Sequence, residues 1–256
     1  EREIFLYRKT PNTTGVFVNK LHFKLRPNSH HLVLYVFDPT TPKYMLPPYD
    51  VIRDLHNPDG TDNSNTENQM YYHLFLGGSM VQEGEYAFPD GVGLYLPAGG
   101  GIDFNTHFVN RTSDTILGEA YANIYTTDIS NVKHVAIPLF LNNTNINLPA
   151  HKSTVVSAVF TNDSTNPLNV FMLTSHNHEH GVKFQIKIFG GPRNGELVYE
   201  STDWEHPLIK SFDPPIVIPK GQGLQSVVTY NNATNNTIGF GLKSTDEMNI
   251  IFGYAY

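Results

Sequence analysis

The chain has 256 residues, a net charge of −7, 39% hydrophobic and 12% aromatic residues, and 16% charged residues. It can bury one large core or two modest ones, and it is too apolar for a disordered or collagen-like polymer. The acidic balance argues against a nucleic-acid partner held through phosphates, and no apolar run approaches the roughly 20 residues of a membrane span.

β-rich runs recur at short spacing along the whole chain. In the first half they are Val16–Lys24, Leu32–Phe37, His73–Leu76, Gly93–Leu96, Ile102–Asn110 and Ala120–Thr126. In the second half they are Ser153–Thr161, Val170–Ser175, Val182–Phe189, Leu197–Tyr199, Ile216–Ile218, Leu224–Tyr230 and Met248–Tyr256. Turn clusters such as Asn57-Pro58-Asp59-Gly60 and Gly190-Gly191-Pro192 separate them. No segment keeps a 3.6-residue apolar period, so long helices are not expected. The polar stretch Thr61–Gln69 reads as a surface loop, and Asn142–Ala150 as a linker. This pattern predicts an all-β protein of two tandem antiparallel β-sandwiches, spanning residues 1–140 and 141–256.

Cysteine is absent, which removes disulfides, thiolate metal sites and cysteine nucleophiles. The chain opens at Glu1 without a signal-peptide pattern and is read as a mature fragment.

Twelve histidines concentrate the chemistry. His30 and His31 open one strand, His107 lies in another, and His176-Asn177-His178-Glu179-His180 ends the apolar run before it. Residues at i and i+2 of a strand share a face, so His176 and His178 can grip one metal. Neighbours in a regular strand point apart, so His30 and His31 need a strand start, a bulge or a twist to share one. Glu179 falls on the opposite face from its flanking histidines, and His180 is taken as a surface residue. Isolated histidines such as His22, His56, His134, His151 and His206 read as exposed or hydrogen-bonded side chains. Imidazole suits zinc, copper, iron or nickel, whereas a thioether selects copper, Cu(I) above all. Met248 follows a polar run and opens the last predicted strand; taken alone it reads as a core residue.

Four motifs in order resemble the copper type II, ascorbate-dependent monooxygenases, the family of peptidylglycine α-hydroxylating monooxygenase and dopamine β-monooxygenase. Asn169-Val170-Phe171, four residues, His176-Asn177-His178, two residues and Gly181 resemble its H-x-F-x4-H-T-H-x2-G signature, with Asn169 for the leading His and Asn177 for the Thr. His30-His31-Leu32 resembles its His-His-Met triplet, with Phe37 where the family has a Cys. Thr106-His107-Phe108-Val109-Asn110 is similar to the segment bearing its third His. The stretch from Thr229 to Asp246-Glu247-Met248 resembles the end of the family, where a Glu-Met pair supplies a methionine ligand.

The resemblance implies two mononuclear copper sites facing an interdomain cleft. His30, His31 and His107 would form the electron-storing site, and His176, His178 and Met248 the catalytic site that meets dioxygen. It implies hydroxylation of an aliphatic C–H bond in a small substrate, with O2 and with ascorbate or another one-electron donor. Thr174 stands where the peptide-amidating branch carries a carboxylate-binding Arg, and Ile250 and Phe252 where it carries Asn and Tyr. Peptide amidation is therefore not expected. Family habit, copper and the missing cysteines point to an extracytoplasmic protein, periplasmic or secreted, from a bacterial source. Six Asn-x-Ser/Thr sequons at Asn12, Asn110, Asn142, Asn162, Asn232 and Asn235 permit glycosylation in a secreted eukaryotic chain.

Three other readings compete. A copper-binding or copper-handling sandwich without turnover predicts metal binding but no reductant-dependent O2 consumption. A carbohydrate-binding or adhesion sandwich, with tyrosines and Trp204 at a sugar site, predicts no metal after dialysis. A zinc hydrolase leaves Met248 unexplained.

Overall fold

The structure is a computed structural model that describes residues 1–27, 29–110 and 112–256. The fold is all-β, with one α-helix among the described residues. The chain divides into two compact units, Glu1–Ala136 and Ile137–Tyr256. In the first, the strands are β1 (Arg2–Lys9), β2 (Val16–Leu25), β3 (Ser29–Phe37), β4 (Ile52–Asp54) and β5 (His73–Ser79). They continue with β6 (Glu83–Ala87), β7 (Val92–Leu96), β8 (Gly101–Phe108), β9 (Ala120–Thr127) and β10 (His134–Val135). Helix α1 (Ser64–Met70) precedes β5.

One sheet of this unit runs β4-β1-β8-β3-β5, and the other runs β10-β7-β2-β6 with β9 also on β2. β1 pairs with β8, and β8 with β3, in antiparallel register, which aligns Glu3, His107 and His31 in one row across three strands. Directly opposed residues project to the same face. That face therefore carries Glu3, Phe5 and Tyr7 from β1, His107, Asn105 and Asp103 from β8, and His31 and Tyr35 from β3. A polar row on a sheet face is costly unless each member is paired; here Glu3, His31 and Asn105 pair with one another, His107 with Glu1, and Asp103 with Arg53 and His73.

In the second unit the strands are β11 (Ile137–Asn142), β12 (Asn147–Leu148), β13 (Lys152–Thr161), β14 (Leu168–His176) and β15 (Gly181–Phe189). They end with β16 (Leu197–Ser201), β17 (Lys210–Ile218), β18 (Gly223–Asn232), β19 (Ile238–Gly239) and β20 (Ile250–Ala255). The sheets are β11-β20-β14-β17, β13-β18-β15-β16 and the ribbon β12-β19. One apolar core joins the two larger sheets: Leu173 and Ile251 from the first meet Phe184, Val228 and Tyr230 from the second.

The strand pattern pointed to a plain tandem of two sandwiches; the strands sort instead into four principal sheets and a ribbon, none with its strands in consecutive order. Period-2 alternation reports which residues share a face, not which strands become neighbours. Asn142–Ala150 is not a linker. β11 pairs along its length with β20, β12 pairs with β19, and Ile146 and Leu148 are buried within the second unit. Two apolar anchors in an Asn-rich setting were hidden by composition.

Thr61–Gln69 is likewise not all loop. Asn63 caps α1 by accepting the Asn65 amide at 3.2 Å, and the buried Thr66 donates its hydroxyl to the Asp54 carbonyl at 3.1 Å. The cap satisfies an otherwise orphaned amide at the start of the helix.

Candidate metal centres

In the first unit the three predicted histidines converge. The ligating atoms of His30, His31 and His107 lie within 4.8 Å of one another. Their rings stand 5.5 Å apart for His30–His31 and 5.1 Å for each of the other two pairs. The β3–β8 register shifts between Ser29 and His31, leaving His30 as the extra residue of a β-bulge. A bulge re-aims a side chain, which lets adjacent histidines reach one point.

The cluster is held from behind. His31 Nε2 lies 3.0 Å from Asn105 Oδ1 and 3.5 Å from Glu3 Oε1, while Asn105 Nδ2 donates to Glu3 Oε1 at 2.9 Å. His107 Nε2 lies 2.8 Å from Glu1 Oε1. With Nε2 so engaged, Nδ1 is the nitrogen that His31 and His107 each have to offer a cation. Partners of this kind fix ring orientation and tautomer at metal sites. Burial alone would raise the Glu3 carboxyl, but the His31 hydrogen bond, the charges of His31 and His107 and the Asn105 amide outweigh it and hold it at about 2. A buried anion thus sits beside the imidazoles of His31 and His107.

In the second unit His176 and His178 also come together, with ring centroids 5.0 Å apart at 87°. Strand alternation is not the reason. β14 ends at His176, and His178 lies beyond it, in the segment that turns into β15. Asn177 shapes that segment: it is buried, and its amide donates to the His178 carbonyl at 3.0 Å. A Cβ at position 181 would collide with the same amide, which accounts for glycine there. His180 is not a surface residue; its side chain is only 11% exposed.

Met248 does not open the last strand, which begins at Ile250. It sits half-buried in the irregular segment before it, where Asn and Asp disfavour strand pairing. That segment docks on the histidine turn. His178 Nδ1 lies 3.1 Å from the Asp246 carbonyl, so Nε2 is its ligating candidate. Glu247 is fully buried and accepts the amides of His178, His180 and Met248 at 3.0, 2.7 and 3.2 Å. Burial pushes its carboxyl up to about 7 against the opposing pull of those three amides.

No family model and no curated protein matches this chain.

Sequence reasoning missed Glu3 and Asn105, and it named Glu247 only as part of the Glu-Met pair, not as the buried acceptor of three amides. The available signal for Glu3 was alternation: β1 buries Glu3, Phe5 and Tyr7, so a charged residue occupies an inward position. It also missed a buried group farther along the same face, where Asp103 pairs with Arg53 and lies 3.0 Å from His73 Nε2. His73 stacks on Tyr35 with centroids 4.5 Å apart. The other lone histidines behave as expected: His22 pairs with Glu83, and His206 with Asp203, at partly or fully exposed positions.

Proposed function

We propose that the protein is a copper-dependent monooxygenase, similar to the ascorbate-dependent type II enzymes, that hydroxylates an aliphatic C–H bond of a small substrate with O2 and a one-electron donor. The reading includes one copper site in each of the two units and an extracytoplasmic location. The observation that carries it is the convergence of His30, His31 and His107 on one point, backed by a buried carboxylate. Copper held there and at His176, His178 and Met248 would supply one-electron chemistry towards O2 and a C–H bond.

The chain's own residues divide the work. In the first unit Asn105 and Glu3 lock His31, and Glu3 offsets the charge of a bound cation. In the second, the Asp246 carbonyl orients His178. Beside His176 lies an aromatic strip: Phe252 is 6.5 Å away by ring centroids, and Phe140 stacks edge-on against Phe252 at 5.2 Å. Thr174 is the register partner of Phe252, and Ile250 that of His176. A site edged by Phe252 and Thr174, without an Arg, favours an uncharged or apolar substrate over a peptide carboxylate.

The test is turnover. Copper-loaded protein given ascorbate and O2 should consume O2 and hydroxylate a small apolar substrate, and His176→Ala should abolish product. Copper binding without reductant-dependent O2 consumption would favour a copper-handling protein instead.

A further inference from the structure

We propose that Glu247 is the positioning residue of the second site: its carboxylate fastens the segment bearing Met248 to the turn bearing His178, and so brings a thioether to the two imidazoles. The inference rests on the copper reading above.

Two consecutive residues grip one turn. The Asp246 carbonyl lies 3.1 Å from His178 Nδ1. One oxygen of Glu247 accepts the amides of both His178 and Met248, at 3.0 and 3.2 Å, and the other accepts the His180 amide at 2.7 Å. A single carboxylate oxygen is therefore shared between the histidine turn and the Met248 segment, which are 69 positions apart for His178 and Glu247.

Glu247 is itself pinned. Its backbone amide donates to the Gly239 carbonyl at 3.0 Å, and its carbonyl accepts the Gly241 amide at 3.2 Å. The Tyr230 hydroxyl donates to the Met248 carbonyl at 2.6 Å, holding the far side of the segment. Downstream, the His176–Ile250 register pair fixes where the segment enters β20.

The choice of residue follows from these bonds. Two acceptor oxygens are required, and Gln offers one. Glu247 is fully buried, and its carboxylate oxygens accept the three backbone amides. A buried carboxylate with only amide partners gains from a cation nearby, which is what the imidazoles of the turn would hold. Partners one step behind the ligands typically change metal affinity by about 10–100-fold when removed.

The experiment compares wild type with Glu247→Gln and Glu247→Asp. Cu(I) affinity is measured at both sites, with X-ray absorption to read the sulfur shell and amide exchange of the metal-free protein to read the clamp. The His30/His31/His107 site in the same molecule reports folding. Wild type should show one sulfur ligand and slow exchange at His178, His180 and Met248. Glu247→Gln should lose about 10–100-fold in affinity at the second site alone, with a diminished sulfur shell. Glu247→Asp, which keeps both oxygens on a shorter stem, should retain part of it. A wild-type sulfur shell that survives intact in both variants overturns this proposal alone. A wild-type protein that binds copper without sulfur overturns it together with the copper reading.

Discussion

His31 faces His107 directly across the β3–β8 ladder, with ring centroids 5.1 Å apart, and Glu3 continues the same row on β1. The cross-strand register thus places a carboxylate, an imidazole and a second imidazole side by side on three neighbouring strands. The bulge at His30 adds the third ring.

This row makes Glu3 dependent on its neighbours. His31→Ala removes one hydrogen-bond partner of the buried Glu3 carboxylate and leaves it Asn105, and losing a hydrogen bond to a buried charged group costs roughly 1.5–3 kcal/mol. Urea denaturation of the metal-free protein should show a loss of that size. Adding Glu3→Gln to His31→Ala should recover part of it, because the remaining buried group is then neutral.

A second expectation concerns the sequons. Asn162 and Asn232 are buried, and each uses its side-chain amide for two carbonyls: Asn166 and Ile218 for Asn162, Leu148 and Asn236 for Asn232. Their side-chain oxygens accept the amide and hydroxyl of Ser164 and Thr234. These sequons are loop staples rather than glycan acceptors. Mass spectrometry of protein secreted from a glycosylating host should find no glycan at either position. Asn→Ala at either should cost about 1–3 kcal/mol by leaving buried backbone carbonyls unpaired.

The buried His73 predicts a pH dependence. Burial lowers its pKa more than Asp103 raises it. Its folded pKa therefore lies below its unfolded value near ~6.5, and the unfolded chain binds more protons as pH falls through that region. This contribution is fully present above about pH 6.5 and is lost as pH falls towards the folded pKa. Denaturation midpoints between pH 8 and pH 5 should decline, and His73→Phe, which keeps a ring against Tyr35, should flatten the slope.

Gly181 offers a direct test of how the histidine turn is built. Gly181→Ala drives a methyl into the Asn177 amide and should cost about 1–3 kcal/mol, as overpacking does. It should also weaken metal binding in the second unit while leaving the first untouched. Asn177→Ala in the same chain should relieve the clash and recover stability by thermal melting.

Much of the fold was legible because strand periodicity is local. β2, β3, β13 through β16 and β18 coincide with alternating or apolar runs, whereas the run at Ile216–Ile218 covers only the end of β17. β1 escaped because Glu3 takes an inward position that only its pairing with His31 explains. β11 and β12 escaped because Asn-rich composition resembles a linker, although register with β20 and β19 holds them. The histidines could be picked out by type and spacing, but their convergence depends on a bulge and a cross-strand register that no local pattern encodes. Glu247 was hidden in plain sequence, since a carboxylate reads as solvent-facing until the amides it gathers are known.

Copper titration of the metal-free protein, read by Cu(II) spin resonance, tests the central claim most directly. Wild type should take up two equivalents with mainly nitrogen ligation. His107→Ala should remove one of them and His176→Ala the other. Saturation at one copper or none, or a stoichiometry that His107→Ala leaves unchanged, would contradict the account.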